Sequence, residues 1–260
     1  MNKANYGNWV PAAMMCTAWI TTGILLILWA LNFIFLKNLP IAVILGAMFF
    51  VVLCFTVYMQ CCRALFSFDG GRLMEKLHEF LAERLPWNGN GILLDIGCGA
   101  GALTIRCAKR FPKAKLVGMD YWGREWSYAK EQCERNALIE GVSDRVSFEK
   151  GDAAKLKYSD DFFDAAVSNF VFHEVKSQPD KRLVVREALR VVKKGGAFAF
   201  QDLFGQRRLY GDMNEFIDGL KKEGITEIHY ISNVDKMDFV PAYVRAPWMI
   251  NSVGLIYGVK

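Results

Sequence analysis

Residues 12–36 and residues 41–62 are two long runs without a single Asp, Glu, Lys or Arg. A helix needs about 20 apolar residues to cross a hydrocarbon core ~30 Å thick, so each run is long enough to span a membrane. Between them Lys37-Asn38-Leu39-Pro40 supplies a charge, a turn former and a helix stopper. Tyr6 and Trp9 before the first run, and Tyr58 late in the second, suit the interfacial layer. A cleaved secretory signal would have a shorter apolar stretch ending at small residues, whereas here a second run follows at once. The sequence therefore predicts a two-span membrane hairpin within residues 1–62. It predicts a linker with one helix over 63–90 and a separate domain over 91–260.

Charge supports that division. The formal net charge is +5, of which Lys3 and Lys37 are the whole contribution of residues 1–62. The remaining +3 is spread over nearly all the rest of the chain, without the clustered basic patch expected of a nucleic-acid-binding surface. Arg63, Arg72 and Lys76 follow the second run and Lys3 precedes the first. The positive-inside rule then places both termini and the large domain in the cytoplasm of a multi-pass cell-membrane protein. The seven cysteines are odd in number and form no C-x-x-C pair, which fits reduced thiols better than a disulfide framework or a zinc site. Cys61-Cys62, at a membrane edge, carries lipidation as its alternative reading.

Beyond Arg63 the texture changes. Phe68-Asp69-Gly70-Gly71 is a turn, and Leu73, Leu77, Phe80, Leu81 and Leu85 recur at helical spacing. From residue 91 onward, strands and helices alternate, as in a parallel sheet covered on both faces. Strands are expected at Ile92–Ile96, Lys115–Asp120, Val146–Lys150, Phe163–Asn169, Gly196–Asp202, Glu227–Ile231 and Val253–Val259. Helices are expected over 102–110, 127–140, 181–192 and 212–222. No long helical pattern separates the last two strands.

Asp95-Ile96-Gly97-Cys98-Gly99-Ala100-Gly101 joins the first of these strands to a helix. Glycines there permit unusual backbone angles and close approach of a ligand to main-chain N–H groups at a helix start. The stretch from Gly97 to Ala102 also satisfies the dinucleotide fingerprint, with Asp120 as its ribose acid, so an NAD(P)-linked oxidoreductase is an open alternative. A non-enzymatic membrane adaptor built on a cofactor-binding fold is another. Four features point elsewhere: Asp95 two residues before the first glycine, Asp120 ending the second strand, Gly151-Asp152-Ala153 after the third, and Val191-Val192-Lys193-Lys194-Gly195-Gly196 before the fifth. Together with the paired terminal strands, they resemble the class I S-adenosylmethionine-dependent methyltransferases. The likeness is to the small-molecule branch that includes quinone-biosynthesis enzymes.

That resemblance implies a Rossmann-like seven-stranded sheet with an antiparallel last strand, and S-adenosylmethionine as cofactor. It implies that Asp95 and the turn Gly97, Cys98, Gly99 and Gly101 hold the methionine end, and that Asp120 binds the ribose. Tyr121 or Trp122 would lie against the adenine. Asp152 and the Ala153 N–H would take the adenine edge, and Asn169 would face the methionine amino group and the reacting methyl. Ser168-Asn169-Phe170-Val171-Phe172-His173 lacks the prolines frequent in amino and nucleobase methyltransferases. His173, just past the strand end, is the candidate proton acceptor, with loop fixation as its structural alternative. Residues 239–250, rich in apolar and aromatic side chains, are expected to border a hydrophobic or lipid-like acceptor near the bilayer. The charge, motif and cysteine patterns contain no metal-ligand cluster.

Overall fold

A computed structural model describes residues 3–123 and 130–260. The chain divides into two compact units. One comprises residues 7–74; the other comprises residues 75–260 together with the segment that ends at Tyr6.

In the first unit, α1 (Ala12–Leu31) continues through a wider turn, Asn32–Leu36, and α2 runs over Leu39–Phe66. Lys37 turns the chain in a left-handed conformation (φ 51°). The Asn38 side chain caps α2 by accepting from the Ile41 N–H (3.1 Å), with Pro40 in the first turn, where its missing N–H costs nothing. The two helices pack with polar atoms inward. Thr22 and Thr56 are buried and share a hydrogen bond between their hydroxyls (3.1 Å), while Trp29 stacks on Phe49. Gly46 allows this approach, because a Cβ there would lie 3.0 Å from the Trp29 indole nitrogen. Ile20, Ile24, Ile27, Val43, Phe50 and Val51 point outward and are exposed. Both helices are long and apolar enough to cross a membrane by length and composition.

The second unit is built on a seven-stranded sheet in the order β3-β2-β1-β4-β5-β7-β6. Its strands are β1 (Ile92–Ile96), β2 (Lys115–Asp120), β3 (Val146–Lys150), β4 (Phe163–Asn169), β5 (Val192–Asp202), β6 (Glu227–Ile231) and β7 (Gly254–Val259). Pairings from β3 to β5 are parallel, and β7 runs antiparallel to both β5 and β6. Helices α3 (Leu73–Arg84), α4 (Ala102–Arg110), α5 (Lys130–Ile139), α6 (Lys181–Arg190), α7 (Arg207–Tyr210) and α8 (Met213–Lys222) accompany the strands. The start of the helix expected at 127 lies outside the described residues.

One face of the sheet buries Leu94, Ile96, Ala166, Phe198, Phe200 and Ile256 in a core with side chains of α6 and α8. The strand expected at Gly196 begins four residues earlier, at Val192. The helix expected to run to Val192 ends at Arg190, because Val192 pairs with Phe163 across an irregularity in register and the sheet draws the residues before Gly196 in.

Candidate cofactor site

The parallel strands deliver their carboxyl ends to one edge of the sheet, where helix starts and loops gather. Registers align Gly118, Asp95, Val167 and Ala199 across β2, β1, β4 and β5. Side chains two residues further along a strand share its face. Asp120, Asn169 and Gln201 therefore emerge on the same face as Asp95.

The Gly97–Gly101 turn is stitched to β2. The N–H groups of Gly97 and Cys98 both donate to the Met119 carbonyl (2.7 and 3.0 Å). Gly97, Gly99 and Gly101 all have positive φ, and a Cβ on Gly97 would lie 2.1 Å from a Val171 methyl carbon. Only glycine combines that backbone with the close approach of residue 171. The Gly99 N–H donates to Asp120 Oδ2 and the Trp122 N–H to Asp120 Oδ1, both at 2.8 Å. A carboxylate offers about four lone-pair sites, so acceptor capacity remains for a diol.

Trp122, itself at φ 43°, donates from its indole to the Gly99 carbonyl (3.0 Å). Tyr121 is 65% exposed, and Lys150 Nζ lies 5.5 Å from its ring centroid. The two aromatic candidates thus separate: Trp122 braces the turn, and Tyr121 offers an open ring face beside a cation.

Asp95 is buried beneath the turn and accepts from the Thr104 hydroxyl (2.5 Å). Burial raises its carboxyl to about pH 7, against the opposing pull of the Thr104 hydrogen bond. Cys98 is buried too, and desolvation and the adjacent Cys133 push its thiol well up, leaving its backbone as the part able to serve a ligand. Asp152 folds into a local turn, accepting from the Ala154 N–H (2.8 Å) and the Ser177 hydroxyl (3.0 Å). Ala153 beside it is buried.

At the end of β4, Asn169 Oδ1 accepts from Gln201 Nε2 (2.7 Å). Phe170 follows at φ 58° and reverses the chain into a short turn, Phe172–Glu174. Asp202 holds that turn. Its carboxylate accepts from the N–H groups of Phe172 (2.8 Å) and Leu203 (2.6 Å), and Oδ1 lies 2.8 Å from His173 Nδ1. Partial burial opposes a charge on His173. Asp202, with Glu174 Oε1 at 3.4 Å from Nε2, outweighs it and raises the imidazole to about pH 10. Sequence reasoning singled out His173 but missed Asp202 and Gln201. The available signal was a polar pair closing the apolar strand Ala197–Phe200.

Residues 3–6, first in the chain, also reach this unit. The Asn5 N–H donates to Asn136 Oδ1 (2.8 Å), and Asn136 Nδ2 donates back to the Asn5 carbonyl (2.7 Å) and to the Ala100 carbonyl of the turn (2.9 Å). One buried side chain of α5 therefore ties the amino-terminal segment to the glycine turn.

In the 239–250 segment, Val240, Val244 and Ile250 turn inward, and the Phe239 ring packs near Phe80 of α3 (centroids 5.6 Å apart). Tyr243 and Trp248 point outward and are exposed. Among the described residues no group of three or more His, Cys, Asp or Glu is placed to hold a metal ion.

Residues 94–200 match the family described as the methyltransferase domain. Over that stretch the chain is similar to methyltransferase domains. A methyltransferase of Streptomyces halstedii is 29% identical over 171 residues, covering 66% of this chain and 57% of that protein. A sterol 24-C-methyltransferase of Aspergillus fumigatus is 29% identical over 189 residues, covering 64% of this chain and 48% of its own length. The chain thus spans about half the length of these relatives. Among solved structures, a geranyl diphosphate methyltransferase in complex with geranyl diphosphate and sinefungin has a TM-score of 0.53 at 18% identity, over 72% of this chain and 78% of that one. At that identity the likeness is one of fold. The antiparallel β7 between β5 and β6 is also what separates this sheet from the dinucleotide-binding order 3-2-1-4-5-6.

Proposed function

We propose that this protein is a membrane-anchored methyltransferase that uses S-adenosylmethionine to methylate a small hydrophobic or amphiphilic acceptor. The observation that carries this reading is Asp120 at the end of β2, hydrogen-bonded to the Gly99 N–H of a left-handed glycine turn. The residues present fit the donor. The turn has no side chain to block a ligand, Asp120 would take the ribose hydroxyls, and Asp152 with the Ala153 N–H would meet the adenine edge. Tyr121 would cover the adenine face, and Asn169 would face the methionine amino group and the methyl. Asp95 acts from beneath, through Thr104, to hold the start of α4. Bound there, the donor supplies a methyl already activated by its positive sulfur. The protein's part is alignment, exclusion of water and removal of a proton.

His173 is the proposed base for an acceptor that must lose a proton. Its Nδ1 is engaged by Asp202, which orients the ring, and Nε2, beside the Glu174 carboxylate, is the atom that would take the proton once the imidazole is neutral. Asp202 is a positioning residue and has no proposed contact with the acceptor.

Three features support a membrane-borne, apolar acceptor. The helices of residues 7–74 bury threonine hydroxyls and expose isoleucine, valine and phenylalanine, the arrangement lipid favours. Residues 3–6 and residues 75–260 belong to one compact unit, so the chain leaves it and returns to it, consistent with an even number of crossings. The sterol-methylating relative and the outward Tyr243 and Trp248 fit an apolar acceptor. Arg63, Arg72 and Lys76 after α2 support a catalytic unit on the cytoplasmic side.

The test is incubation of the detergent-solubilised full chain with methyl-tritiated S-adenosylmethionine and, separately, lipid and aqueous extracts. Label in a lipid-soluble product supports the proposal. Tight binding of NADH in place of S-adenosylhomocysteine, or donor binding without transfer to either extract, would sink it.

A further inference from the structure

Gln201 ends β5 at the same level as Asn169 ends β4, the two being register partners, and the Phe170 N–H donates to the Gln201 carbonyl (2.8 Å). The Gln201 side chain is 1% exposed. Its Nε2 donates to Asn169 Oδ1, but its Oε1 is buried and accepts from nothing among the described residues. The next residue differs sharply, since every oxygen of the Asp202 carboxylate has a donor. Behind Gln201 on the same face lie Ala199 and Ala197, and behind Asn169 lie Val167 and Ala165. This amide pair is therefore the polar end of an otherwise apolar stretch of floor. A buried carbonyl without a partner costs stability, and such groups persist where a ligand supplies the missing donor.

We propose that the Asn169–Gln201 pair is a ligand subsite in which Gln201 Oε1 accepts a hydrogen bond from an N–H or O–H group bound over the ends of β4 and β5. The proposal rests on the methyltransferase reading and sharpens it, since a ligand with no such donor leaves the subsite unfilled. Two sources carry the required chemistry: the ammonium of the methionine end of the methyl donor, and a hydroxyl or amino group of the acceptor. Asn169 accepts from Gln201 through Oδ1, and Gln201 Oε1 is the acceptor left for the ligand.

The experiment uses the full chain in detergent micelles, with Gln201→Met, which keeps the volume, and Gln201→Glu, which keeps an acceptor oxygen. Titration calorimetry compares S-adenosylhomocysteine with 5′-methylthioadenosine, which has the same nucleoside and thioether but no amino-acid end. Half-saturation of methyl transfer by a membrane-lipid extract is measured alongside. A tenfold or greater loss of S-adenosylhomocysteine affinity in Gln201→Met, with 5′-methylthioadenosine unchanged and Gln201→Glu restoring binding, assigns the subsite to the ammonium. Unchanged affinity for both, with a tenfold higher extract concentration at half-saturation, assigns it to the acceptor. Equal loss for both nucleosides with a lowered melting temperature overturns the proposal, because Gln201 is then structural. No change in any binding or transfer readout overturns it as well. Failure of the unsubstituted chain to bind S-adenosylhomocysteine would instead strike at the methyltransferase reading itself.

Discussion

At the scale of single residues, His173 and Asp120 make the sharpest predictions. Asp202 and Glu174 raise the His173 imidazole from 6.5 to about 10, so the resting side chain is charged at neutral pH. A base works only once deprotonated, and well below its pKa the neutral fraction rises tenfold per pH unit. The single-turnover rate should therefore climb with pH towards 10, and His173→Asn should be slow and nearly flat across the range. Asp202→Asn removes the carboxylate that raises the imidazole, and should move the climb to lower pH. Stability follows the opposite course: a raised folded-state pKa contributes fully below 6.5 and is lost as pH rises through about 10. Denaturation midpoints of His173→Gln should lack that alkaline decline. For Asp120→Ala, loss of the partner of Gly99 and Trp122 and of the ribose acceptor should weaken S-adenosylhomocysteine binding by about 1–3 kcal/mol. Calorimetry measures it, and undiminished affinity would contradict Asp120's role.

At the scale of elements, α5 holds the amino-terminal segment through Asn136 and Gln132, and Asn136 alone links it on to the glycine turn among the described contacts. Asn136 is 1% exposed, and its amide satisfies both backbone groups of Asn5 and the Ala100 carbonyl. Asn136→Ala removes these hydrogen bonds, with Gln132 Nε2 still donating to the Asn5 carbonyl (2.6 Å), and should cost about 1–2 kcal/mol in denaturant unfolding. It should also speed hydrogen exchange at residues 3–6 before it affects the sheet. None of this was legible in the sequence, because an asparagine in a polar helix and one near the terminus carry no mutual pattern. The strands were legible, since apolar runs bounded by turn residues mark them directly. The exception, Val192–Gly195, lies between an expected helix end and an expected strand start and becomes strand through pairing with β4 and the Gly195 N–H to the Lys260 carbonyl (2.6 Å).

For the whole molecule, the decisive property is an outer surface of residues 7–74 made of large apolar side chains. If those helices cross a bilayer, the chain should stay with membranes after alkaline carbonate washing. Protease added to the cytoplasmic side of inverted vesicles should then cut the domain while sparing α1 and α2. Release by carbonate would contradict the anchor.

The sequence by itself determined the class of sheet, the glycine turn with Asp95, Asp120 and Asp152, and the length and apolarity of two helices. These follow from local periodicity, backbone permissiveness and composition, which need no partner to be read. Tertiary structure alone decided that Trp122 braces the turn while Tyr121 stays open, that Asp202 orients and charges His173, and that Gln201 leaves one acceptor unfilled. Each depends on side chains far apart in the chain meeting at the ends of parallel strands. Hydrogen-bond partners and pKa values are set by that meeting, and no spacing along the sequence encodes it.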